Sequence, residues 1–130
     1  MTRTNADLGR LALRVALGGL ILFHGIAKLM GGIDPITGLV TAMGLPAFVA
    51  YGVYVGEIVA PVLVIVGWYS RLGSLLIAIN MVFALALAHR AELFKLAPSG
   101  GYALELQVLY LVVALALALM GPGRYSMNER

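Results

Sequence analysis

Apolar residues run along this chain in blocks rather than in narrow stripes. Four blocks, at about residues 8–30, 47–69, 71–90 and 102–121, each approach the roughly 20 apolar residues that a helix needs to cross a bilayer. Runs such as LVIVGW (63–68) and LVVALALALM (111–120) lack the apolar–polar alternation of a membrane β-strand. Glycine- and proline-rich segments, GGIDPITG (31–38) and KLAPSGG (95–101), read as loops between blocks. Only a few residues around Gly67 to Arg71 join the second and third blocks, which makes those two an antiparallel hairpin. The pattern predicts an all-α integral membrane protein. It is a single domain over residues 1–130, a four-helix transmembrane bundle with each helix antiparallel to its sequence neighbours.

Composition agrees. The chain is 62% hydrophobic and 12% charged, against about 45–50% and roughly 25% for a soluble domain. A mean hydropathy of +0.98 leaves too little polar surface for a water-soluble protein of 130 residues. With no cysteine, thiolate metal sites, iron–sulfur clusters and disulfide exchange drop out. The pI of about 9.5 rests on a net charge of only +3, which does not make a nucleic-acid face. Its placement is informative instead. Arg3, Arg10, Arg14, Arg71, Arg124 and Arg130 fall on one side of a four-span topology, and Lys28, Arg90 and Lys95 on the other. The positive-inside rule then places both termini in the cytoplasm, with the arginines as topology signals and anionic-lipid contacts. The first block has a basic flank, but His24 and Lys28 occupy the place of a small-residue cleavage site, so an uncleaved helix is expected.

Polar residues inside the spans then stand out. His24 and Lys28 lie i, i+4 near the outer end of the first helix. Glu57 lies about 14 Å down the second helix at 1.5 Å per residue, and is the only charge between Asp34 and Arg71. His89 ends the third helix, and Glu105 opens the fourth. Ionisable groups in a membrane face the bundle interior or a water-filled cavity and pair with one another. The expectation is an outer-half polar pocket, with Lys28, His89 and Glu105 near its rim and His24 and Glu57 deeper. A purely structural Lys28–Glu57 clamp is the alternative for the two central charges. Gly18, Gly19, Gly52 and Gly56 are expected at close helix contacts, and Asn80 and Tyr110 as polar glue between helices.

Read with their neighbours, these positions resemble the DoxX family of small bacterial membrane proteins. The matching segments are LFHGIAKLMGG (22–32), the GLP turn (44–46), VGEIVAPVLVIVGWYSR (55–71), the late His89, SGGYALELQVLYL (99–111) and the tail GPGRYSMNER (121–130), where Asn128 replaces a common Asp. The resemblance implies association with quinone-linked oxidoreductase complexes, or defence against oxidative or quinone stress. It also implies recurring polar positions at His24, Lys28, Glu57, Arg71, His89 and Glu105.

Three functions compete on these residues. One is a subunit that binds a quinone-like redox molecule, with His and carboxylate handling protons, Lys28 polarising a carbonyl, and a partner oxidoreductase supplying electrons. No protein-bound cofactor is evident, no metal site is assigned, and homo-oligomerisation is compatible with the chain. The second is a transporter or binder of a small solute, or of copper through His24, His89 and Met30. The third is a non-catalytic anchor for a soluble enzyme.

Overall fold

A computed structural model describes residues 3–87 and 94–128. Among these residues the chain is all-α, with five helices and one isolated β-bridge between Leu96 and Tyr102. α1 (Arg3–Gly31) is 29 residues long. α2 (Asp34–Ala42) is short. α3 (Ala47–Val66), α4 (Ser70–Leu87) and α5 (Glu105–Met120) complete the set. α1 and α3 are long and apolar enough to cross a membrane, and α4 and α5 are shorter apolar helices.

The four longer helices fall on the four apolar blocks, but α2 lies across a segment expected to be loop. Its start explains this. Pro35 sits in the first turn, where its missing N–H is no loss, and Asp34 sits where the helix dipole favours a negative charge. Ile33 and Val40 then bury against Ala50 at the start of α3, which holds the short helix in place. The residues that look like loop punctuation are therefore also a helix start.

α3 is not a uniform helix. It opens with a 3₁₀ turn over Ala47–Tyr51, passes through Gly52–Tyr54, and widens to a π turn over Val55–Val59 before resuming as α-helix over Ala60–Val66. The Ala60 N–H bonds the Val55 carbonyl, five residues back. Pro61 gives the physical cause. It has no N–H to return to the Glu57 carbonyl, and its ring would crowd that carbonyl in a regular helix. Such π turns recur at functional sites because they re-aim a side chain. This one carries Glu57. The helix stops at Gly67, whose φ of +73° is the left-handed conformation glycine adopts without penalty, so it ends short of the expected residue 69.

The main core joins α1, α3, α4 and α5 through Leu17, Ile21, Val64, Ile77, Met81, Tyr110 and Leu117. Outside it lies an apolar coat, with Phe23, Leu29, Met30, Phe48, Val82, Leu109 and Leu119 all exposed. So extensive an apolar exterior is foreign to a soluble monomer and suits lipid. Of the glycines expected at close contacts, Gly18 and Gly56 are there: a Cβ at Gly18 would stand 2.9 Å from the Pro61 carbonyl oxygen, and one at Gly56 2.5 Å from the Asn80 Cβ. Gly19 and Gly52 face open space instead. An unforeseen close contact is at Gly25, where a Cβ would collide with the Glu57 carbonyl.

Arg14 also departs from expectation. It is buried at 1% exposure rather than in contact with lipid. Its guanidinium donates to the carbonyls of Val64 and Ile65 at 2.9 Å each, Pro122 at 3.1 Å and Tyr125 at 2.7 Å. It thereby satisfies the end of α3 and ties the C-terminal tail to the bundle. Arg71 does the same for α5, donating to the Leu119 carbonyl at 2.9 Å. The tail then lies across the α3–α4 turn: the Asn128 N–H donates to the Gly67 carbonyl, and the Asn128 side-chain oxygen accepts from the Tyr69 N–H at 3.0 Å. Tyr69 is the non-glycine residue with positive φ (48°) among those described, so this bond secures a strained turn. Asn makes that contact as an Asp would.

Candidate functional site

A cavity of about 530 Å³ opens between α2, α3 and α4, with Lys28 reaching into it from α1. Ile36 and Val40 of α2, Val49 and Val53 of α3, and Leu76, Ile79 and Phe83 of α4 make most of its wall apolar. Its polar portion is three side chains. The Lys28 ammonium donates to Glu57 Oε1 at 2.5 Å, and Asn80 Nδ2 donates to Glu57 Oε2 at 2.9 Å. Glu57 is nearly enclosed, with a side-chain exposure of 5%, whereas Lys28 keeps 27%.

Each member is placed by local structure. The π turn aims the carboxylate of Glu57 inward, and Gly56 lets Asn80 of α4 lie against the α3 backbone. Gly25 lets α1 approach until its next turn carries Lys28 to the carboxylate. The Tyr54 hydroxyl donates to the Lys28 backbone carbonyl at 3.4 Å, steadying the end of α1. Burial of an isolated carboxylate would be prohibitive; a cation and an amide donor offset that cost.

The chemistry follows from the donors left over. An ammonium carries three N–H groups, of which Glu57 takes one, so Lys28 can offer a hydrogen bond to a molecule in the cavity. The Lys28–Glu57 pair is neutral as a unit, and the wall is apolar. The site therefore suits an uncharged, largely apolar molecule with a carbonyl or similar acceptor at one end.

Two of the other expected members, His24 and Glu105, lie elsewhere. His24 is exposed on α1, with its ring edge-on to Tyr110 of α5 at 6.3 Å between centroids, and it does not line the cavity. An i, i+4 pair is offset by about 40° around a helix, enough for His24 to meet α5 while Lys28 meets α3. Glu105 is exposed in the first turn of α5, close over Gly101, where it complements the helix dipole. His89 lies outside the described residues. Among the described residues no three His, Asp or Glu side chains gather as a metal set.

Asn80 bonds across to a neighbouring helix as expected, and its partner there is the Glu57 carboxylate. A sequence signal for it existed. Glu57 lies ten residues before Gly67 and Asn80 ten after Ser70, so an antiparallel hairpin puts them at equal depth.

Residues 9–90 match the DoxX family. An uncharacterized protein of Haemophilus influenzae is 29% identical over 121 residues, covering 91% of this chain and 87% of its own. A Bacillus subtilis protein bearing the name "Putative oxidoreductase CatD" is 34% identical over 116 residues, covering 88% of this chain and 81% of its own. No solved structure matches.

Proposed function

The chain belongs to the DoxX family of membrane proteins, and from that premise we propose that it binds a quinone-class molecule in the α2–α3–α4 cavity and serves a membrane oxidoreductase system. In this reading the chain is one membrane domain of four spans with both termini in the cytoplasm. The observation that carries the proposal is the Lys28–Glu57–Asn80 cluster set into an otherwise apolar cavity. The oxidoreductase name of the Bacillus subtilis relative supports the same reaction class.

The residues suit the task. A quinone is flat, uncharged and apolar, with carbonyl oxygens that need hydrogen-bond donors. Reduction adds two electrons and two protons to give the quinol. The electrons come from a partner oxidoreductase. Lys28 would hold one carbonyl oxygen and stabilise negative charge developing there. Glu57, bridging Lys28 and Asn80, would accept and release protons along the same hydrogen-bonded line. His24 and Glu105 are assigned no ligand contact.

A structural clamp is the second reading, favoured by the fact that both oxygens of Glu57 already have partners within the chain. One set of variants separates the two. Glu57→Gln keeps the shape, and Asn80 can turn its amide to suit, but the amide exchanges no proton. We expect Glu57→Gln and Asn80→Leu to keep most of their thermal stability while affinity for a short-chain ubiquinone analogue, measured on detergent-purified protein, falls about tenfold. Unfolded Glu57→Gln beside undiminished binding by Asn80→Leu would establish the clamp. Reporter fusions after Arg71 and Arg130, and within residues 31–38, test the orientation; a periplasmic signal from the C-terminal fusion would reverse it.

A further inference from the structure

We propose that the opposite end of the bundle carries a second site, an arginine-lined cavity that binds a phosphate group. The cavity measures about 410 Å³ and lies between the start of α1, the start of α4 and the Gly-Pro-Gly turn after α5. Arg10, Arg71 and Arg124 line it together with a single acid, Asp7, so its lining carries a net +2 (three arginines less one aspartate). Arg14, nearby in sequence, is not part of it, because its donors are spent on backbone carbonyls.

The three arginines are held but not saturated. Arg10 Nη1 bonds Asp7 Oδ1 at 2.9 Å, Arg71 Nη1 bonds the Leu119 carbonyl at 2.9 Å, and Arg124 Nη1 bonds Thr4 Oγ1 at 3.3 Å. Among the described residues these contacts use one end of each guanidinium, leaving further N–H donors in a group that offers five. Tethered arginines with spare donors match the oxygens of a phosphate, which such forks bind bidentately.

The room for a ligand comes from two glycines. Gly121 and Gly123 have φ of +79° and +81°, so the turn itself favours glycine at both positions. A Cβ at Gly121 would stand 2.8 Å from Arg71 Nη2, and one at Gly123 2.9 Å from Asp7 Oδ1. Side chains there would displace the arginine and the acid that shape the wall.

The phosphate can arrive free or as a lipid headgroup. The rim favours the lipid, because Leu119 is 81% exposed and Met120 40%, so the apolar coat reaches the cavity mouth. Basic pockets at bundle ends recognise anionic headgroups in this way.

Native mass spectrometry of the purified full chain tests the site. The probes are phosphatidylglycerol, diacylglycerol with the same acyl chains, and inorganic phosphate. Phosphatidylglycerol should bind and diacylglycerol should not. Arg124→Gln and Arg10→Gln should each weaken phosphatidylglycerol binding roughly five-fold, and Arg124→Lys, which keeps the charge but not the fork, should restore only part of it. Arg124 is exposed and makes one long bond, so its variants should melt as the wild type does. Arg124-dependent binding of inorganic phosphate without phosphatidylglycerol would keep the site and make free phosphate its source. Equal binding of phosphatidylglycerol and diacylglycerol, or Arg124→Gln binding phosphate and lipid as the wild type does, would overturn it.

Discussion

Two of the charges buried among the described residues, Arg14 and Glu57, are held on opposite principles. At the tail end Arg14 is enclosed by backbone. Four of its N–H···O bonds run to carbonyls of α3 and the C-terminal segment. Those acceptors cannot ionise, rotate away or leave. At the other end Lys28 meets a side chain, Glu57, which in turn meets another side chain, Asn80, beside an open cavity. Every partner there can change protonation or rotamer. A charge sealed by carbonyls holds helices together; a charge held by side chains at a cavity wall retains the freedom that binding and proton exchange require.

The sharpest way to break this comparison is to remove Arg14. Arg14→Met leaves four carbonyls at a helix end and tail without their donor, and should destabilise the protein by about 3–5 kcal/mol, as loss of a buried charged partner does. Lys, with three donors on a point charge, should rescue little of this. Thermal melting in detergent measures both. A well-folded Arg14→Met would mean that the tail is not anchored through this guanidinium.

Gly25 offers a smaller effect that bears on the other node. Gly25→Ala drives a methyl into the Glu57 carbonyl, so α1 must move off α3. The expected loss is about 1–3 kcal/mol, accompanied by weaker binding in the cavity because Lys28 withdraws from Glu57. Gly19→Ala, one face away with open space around it, is the control. It should be neutral or stabilising by roughly 0.5–1 kcal/mol through helix propensity. Equal melting temperatures for the two variants would show that the α1–α3 approach is not the constraint.

Asn128 gives the smallest change. Asn128→Ala loses the bond to the Tyr69 N–H and should cost about 1 kcal/mol. Asn128→Asp keeps the acceptor and should stay within about 0.5 kcal/mol of wild type. The pair, compared by melting temperature, separates the oxygen's role from that of the amide.

Much of the architecture was legible in the linear pattern. Apolar run length located the four longer helices, because a helix that meets lipid is apolar on all sides and needs no periodicity to betray it. Lys28 and Glu57 were legible as candidates because a charge in such a run has few places to go. Asn80 could have joined them by its depth in the hairpin. α2 could not, since proline and glycine mark a helix start and a loop alike.

What only the tertiary structure decided is which neighbour each side chain met. The same i, i+4 spacing sends Lys28 to α3 and His24 to α5, because the azimuth of α1 is set by Gly18 and Gly25 against α3. One arginine of the basic set near the chain ends and the α3–α4 turn is sealed inside, while three surround a cavity, because the tail folds back over Arg14 and turns at Gly121 and Gly123. Sequence determined the solvent of this protein, since transfer of apolar surface sums residue by residue. Pairing depends on direction and distance at once, and those exist only when the helices are packed.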